Sequence, residues 1–94
     1  MNRLVLSATL AERSALRYTP AGLPALDLSL LHESEVSHEG MPRKVSMPVK
    51  ALVIGSVVQS VAQMALGTPA QFAGFLATAR NGRGLLFHIT EVQL

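Results

Sequence analysis

The sequence predicts a single all-β domain, residues 1–94, with one short helix and five strands closed into a Greek-key barrel. Three observations predict it. Short stretches of apolar–polar alternation recur along the chain. Only one segment has helical spacing, and it falls between the third and fourth of those stretches. The fourth stretch carries an internal glycine, where a barrel strand bends or another backbone comes close.

The first strand is RLVLSATLA (3–11), with Leu4, Leu6, Ala8 and Leu10 on one face and Arg3, Ser7 and Thr9 on the other; Val5 is the apolar exception. Residues 12–24 read as a loop or strand continuation ending in Thr-Pro-Ala-Gly turn chemistry. ALDLSLLH (25–32) is the cleanest strand: Leu26, Leu28 and Leu30 face in, Asp27 and Ser29 face out. ESEVSHEGMP (33–42) reads as a polar connection, a long hairpin loop. RKVSMPVKALVIG (43–55) resumes the alternation, with Val45, Met47 and Val49 inward and Lys44, Ser46 and Lys50 outward. Pro48 lacks a backbone N–H and predicts an open edge or a bulge there.

SVVQSVAQMAL (56–66) is the helix, with Val57, Val58, Val61, Met64 and Ala65 at helical spacing and Gly67 placed to end it. TPAQFAGFLATA (68–79) is the strand interrupted by Gly74. The last strand, LLFHITEVQL (85–94), is apolar on both faces: Leu85, Phe87 and Ile89 on one, Leu86, Val92 and Leu94 on the other. Three strands, a short helix and two strands in a chain this small make the OB-fold.

Hydrophobic residues are 49% of the chain and charged residues 15%, against roughly 25% charged in ordinary soluble domains. A small domain cannot hide that much apolar surface internally, so an oligomer is expected, most simply a symmetric dimer. There is no cysteine, which excludes disulfides and thiolate chemistry. The N-terminal apolar stretch is broken by Ser7 and Thr9 and followed by Glu12 and Arg13, so it reads as a strand and not a leader. Residues 51–66 are too short and too rich in Gln and Ser to span a bilayer. The expectation is a cytoplasmic protein with no membrane association.

The net charge of +2 is uneven. Residues 1–42 hold three arginines and five acids, a net −2, and residues 43–94 hold five cations and one acid, a net +4. An OB-fold binds oligonucleotides on the exposed face of its second and third strands and on the loops between strands one–two and four–five. Arg13, Arg17 and Tyr18 lie in the first of those connections, Arg43 and Lys44 open the third strand, and Arg80 and Arg83 flank the Asn81-Gly82 turn. Six of the eight basic residues thus fall where such a fold touches nucleic acid, leaving Arg3 and Lys50 elsewhere. Arginine offers phosphate a planar donor fork and stacks on bases. Plain solvation of loop tips would place charges there too, so loop charge alone does not decide. Aromatic content is 4% with no tryptophan, a small supply of base-stacking surfaces. Phe72, Phe75 and Phe87 read as core or interface, and of the three only Phe75, opposite in phase to Phe72, is a candidate for exposure.

Catalytic patterns are missing. His32 and His38 share a loop with Glu33, Glu35 and Glu39, at no zinc-site spacing. Asp27 has no partner in sight, and NGRG lacks the Lys-Ser/Thr and the helix of a phosphate loop. No nucleophile stands beside a base. No enzyme, cofactor or metal is expected.

NRLVLSATL (2–10), TPAGLPALDLSLLHES (19–34), MPVKALVIG (47–55) and GFLATARNG (74–82) together resemble the primosomal replication protein N (PriB) family, in the superfamily of bacterial single-stranded DNA-binding proteins. The likeness runs essentially end to end. It implies an OB-fold homodimer that binds single-stranded DNA with little sequence preference and acts in restarting stalled replication forks. It also implies the PriA helicase as partner, joined in some bacteria by the loader DnaT. The sequence departs from the family pattern in places. Lys44 stands where the family has a tryptophan, His32-Glu33 where a basic residue would help, and the 80–83 connection is shorter, with Arg80 and Arg83 in place of its lysines. Arg17 and Tyr18 fall where the family has a basic pair. Each stacked base is worth roughly 1–3 kcal/mol, so these losses predict weak, strongly salt-dependent DNA binding. The rival expectation is a protein–protein adaptor with little intrinsic DNA binding, acting mainly through the helicase; DNA affinity measured without the helicase separates the two.

Overall fold

The computed structural model describes all residues, 1–94. Alternation becomes strands as expected: β1 (Leu4–Arg13), β3 (Pro24–His38), β4 (Met41–Ile54), β5 (Pro69–Thr78) and β6 (Leu85–Gln93), with a two-residue β2 (Arg17–Tyr18) beside β3 and one helix, α1 (Val57–Ala62). The sheet order is β1-β5-β6-β4-β3, and β3 pairs back onto β1, closing a five-stranded barrel. Every pairing is antiparallel except β4 with β6. This is the OB-fold.

Leu26, Leu28 and Leu30 point into the barrel with Leu10, Val53, Phe72 and Phe87. Val58, Val61 and Met64 close one end. The helix is shorter than its spacing predicts. It stops at Ala62, Gln63 caps it, and Ala65 is exposed. Gly67 instead serves a turn beyond the helix: its φ is +87° and its N–H donates to the Leu10 carbonyl at 2.7 Å.

Gly74 matches its expectation. It sits at a β5·β6 bulge, where a Cβ would overlap the carbonyl oxygen of His88. Pro48 also fits. Beyond Ala51–Val53 no strand follows β4 on its β6 side, so the edge at Pro48 is open.

The polar stretch 33–42 is not a loop. β3 and β4 stay in register out to His38↔Met41 and form a ribbon that projects from the barrel, stretching the molecule to 49 × 30 × 21 Å. Glu39 and Gly40, with φ of +53° and +72°, make the tight two-residue turn whose twist suits a hairpin. Both ribbon faces meet solvent, so neither required apolar residues. For the same reason Met47 is exposed, where inward packing was expected. Leu85, at the mouth of β6, is exposed too, while Phe87 and Ile89 of the same face are buried.

Candidate nucleic-acid interface

Register assigns the outer face of the sheet. Asp27 and Ser29 on β3 lie opposite Leu52 and Lys50 on β4, Leu52 lies beside His88 on β6, and His88 lies opposite Phe75 on β5. Across this face runs a shallow groove of about 330 Å3, lined by Arg17, Thr19 and Pro20 from the β1–β3 connection, by Arg80 and Thr78 from the β5–β6 side, and by Asp27, Leu52, Ile54, Leu86 and His88 from the sheet. The two connections singled out from sequence therefore meet on one surface.

Arg17 grips Asp27 with two parallel bonds, Nε to Oδ2 and Nη2 to Oδ1, both 2.9 Å. Asp27 was expected to have no partner. Register supplies one, because Arg17 pairs with Ala25 and the next residue on that face of β3 is Asp27. The hydrogen bonds from Arg17 hold the Asp27 carboxyl below its ordinary range; desolvation opposes them, and the charges of Arg17 and then Arg80 assist. The same bonds hold the Arg17 guanidinium more firmly protonated. Arg80 thus acts on Asp27 across the groove.

The other residues divide. Tyr18 is largely exposed. Lys44 shares the outer face with Lys50, whereas Arg43, one residue earlier, points to the opposite face of the ribbon. Arg80 does not flank its turn but lies inside it: the Gly82 N–H donates to the Ala79 carbonyl at 2.8 Å, so Arg80 and Asn81 are the central pair. Gly82 and Gly84 both take positive φ and widen the connection beyond a two-residue hairpin. Arg83 follows, its N–H donating to Asn81 Oδ1 at 2.9 Å.

Arg13 has another occupation. Its Nη1 donates to the carbonyls of Val61 at 3.0 Å and Met64 at 2.6 Å, in the last turn of α1 and just beyond it, where the Val61 carbonyl also accepts the Met64 N–H. Lys50, turned outward by its alternation but left out of the sequence-based set, stands on the outer face opposite Ser29. His32 is engaged through both nitrogens: Nδ1 donates to the Ser7 carbonyl at 2.6 Å, so in the neutral ring Nε2 accepts from Ser34 Oγ at 2.8 Å. No helix is long and apolar enough to cross a membrane.

Comparison with known proteins places this geometry. A family model described as "another single-strand binding protein family" matches residues 2–91. The replication restart protein PriB of Bordetella pertussis is 51% identical over 81 residues, spanning 86% of this chain and 76% of that protein. The Neisseria gonorrhoeae PriB is 36% identical over 92 residues, 98% of this chain and 89% of its own. The crystal structure of PriB from Ralstonia solanacearum superposes with a TM-score of 0.89 at 36% identity, covering 99% and 96% of the two chains. The single-stranded DNA-binding protein of Thermus aquaticus shares the fold, with a TM-score of 0.76 at 23% identity over 49% of its length.

Proposed function

The chain belongs to the PriB family of single-strand binding proteins, and from that membership we propose that it is a replication restart protein that holds single-stranded DNA across the outer sheet face. One observation carries the reading: the groove brings Arg17 and Arg80, from two separate connections, onto the surface that also bears Lys50.

Binding here is mainly electrostatic. Lys44, Lys50, Arg80 and Arg83 contact phosphates, Arg17 adds its remaining donors, and Tyr18 offers a ring to a base. Arg43, on the other ribbon face, serves a strand only where it wraps the ribbon. Arg13 keeps its role at the helix end. Asp27, Glu33 and Glu35 stand on the cationic face and offset part of its charge. Affinity is therefore modest and falls with salt by about 0.7 in log K per log salt for each phosphate neutralised.

The working unit is a homodimer. Composition supports this, and so does β1, whose residues 4–8 pair only with β5 and leave the second edge without a strand. A second copy paired there doubles the DNA tract. The PriA helicase, with DnaT where present, is the protein partner. The carboxylates on the DNA face favour a second reading, an adaptor that binds DNA appreciably only beside the helicase.

Fluorescence anisotropy of labelled oligo-dT, titrated at several salt concentrations with and without PriA, tests the proposal. Salt-sensitive binding by the protein alone supports it. Binding only with PriA present selects the adaptor. No binding in either mixture contradicts both.

A further inference from the structure

We propose that the stacked pair Phe75–His88 is a nucleobase platform on the β5·β6 side of the groove. The inference rests on the DNA-binding reading and adds a base contact to its phosphate contacts.

Phe75 is not a core residue. Phe72 and Phe87 are completely buried in the barrel, whereas Phe75 points the other way and is 40% exposed. An isolated aromatic on a solvated sheet face gains little there. This one is buttressed: its ring lies against His88 with centroids 4.8 Å apart and planes 12° from parallel. The partners are directly opposite in the β5·β6 register, just past the bulge at Gly74. A ring held flat by a neighbour loses little freedom when a third ring stacks on it.

The surroundings fit a base better than an apolar peptide. The next residue on the same face of β5 is Ala77, too small to cover Phe75. His88 lines the groove that Arg17 and Arg80 border, so cations stand beside the flat surface. Flat aromatic area beside positive charge is the pairing that single strands need, since each nucleotide brings a π-face and a phosphate. The platform also offsets the shortage of aromatic residues elsewhere on the face.

The chain has no tryptophan, so Phe75→Trp installs a single reporter ring at the platform. Titration with oligo-dT should quench its fluorescence in step with binding. Phe75→Leu, checked for folding by circular dichroism, should lose about tenfold in affinity while keeping the wild-type salt slope, because phosphate contacts remain. An abasic oligonucleotide of equal length should bind wild type and Phe75→Leu alike. Wild-type affinity in Phe75→Leu, or an unquenched tryptophan at saturation, overturns the platform and leaves the phosphate reading standing. Loss of the dimer in Phe75→Leu, seen by sedimentation, overturns it in favour of a ring covered by a second copy. Should the leucine variant not fold, the tryptophan signal decides. Failure of wild type to bind any oligonucleotide removes the DNA reading and the platform with it.

Discussion

Arg17 and Asp27 form a two-pronged ion pair, with both contacts at 2.9 Å, on the face proposed to hold DNA. The pair spends the fork of one cation on a carboxylate of the same chain. A phosphate reaching Arg17 must either share it with Asp27 or displace it.

Asp27→Asn is therefore expected to tighten oligo-dT binding several-fold and to steepen the salt dependence by about 0.7, one further phosphate contact. Anisotropy at three or more salt concentrations reads both quantities. Weaker binding in the variant would mean that Asp27 positions Arg17 instead of competing for it.

The same pair gives stability a small acid limb. The folded carboxyl titrates below its unfolded value of about 3.9, so its contribution is complete above that value and is lost as pH falls through the folded one. Both side chains are about half exposed, which keeps the contribution modest. Urea midpoints of wild type and Asp27→Asn should differ at pH 7 and begin to draw together only as pH falls below about 4. A gap that persists unchanged at low pH would be inconsistent with the ion pair as its source.

Arg13 separates stability from binding. Arg13→Met removes the charged donor from the Val61 and Met64 carbonyls and should lower stability by about 2 kcal/mol in urea unfolding. Oligo-dT affinity of the folded variant should stay at the wild-type level. A large drop in affinity without loss of stability would return Arg13 to the DNA face.

What could be read from sequence follows from what burial imposes. Leu26, Leu28 and Leu30 alternate because one side of β3 faces a core, and Gly74 is glycine because His88 backbone lies against it. The 33–42 end of the ribbon has no buried side, so no period marks it, and Glu39-Gly40 is a weaker turn signal than Asn-Gly. Contacts between strands were hidden for a different reason. Arg17 meets Asp27, and Phe75 meets His88, only through cross-strand register, and the second register passes a bulge. Arg13 looked like its neighbour Arg17 because both are loop-region arginines; only the position of the α1 end distinguishes them. The alternation of 43–55 turns Lys50 outward, but only the pairing with Ser29 beside Asp27 sets it on the same face as Arg17 and Arg80.

The most direct measurement is the salt slope of oligo-dT binding in two charge-matched double variants. Lys50→Ala/Arg80→Ala removes two cations from the outer face. Arg13→Met/Arg43→Ala removes two from elsewhere, one at the end of α1 and one on the far side of the ribbon. The outer-face variant should lose affinity and flatten the slope by about 1.4, two contacts at 0.7 each, while the control keeps the wild-type slope. Equal flattening in both would show that DNA responds to net charge alone and would contradict a binding surface on the outer sheet face.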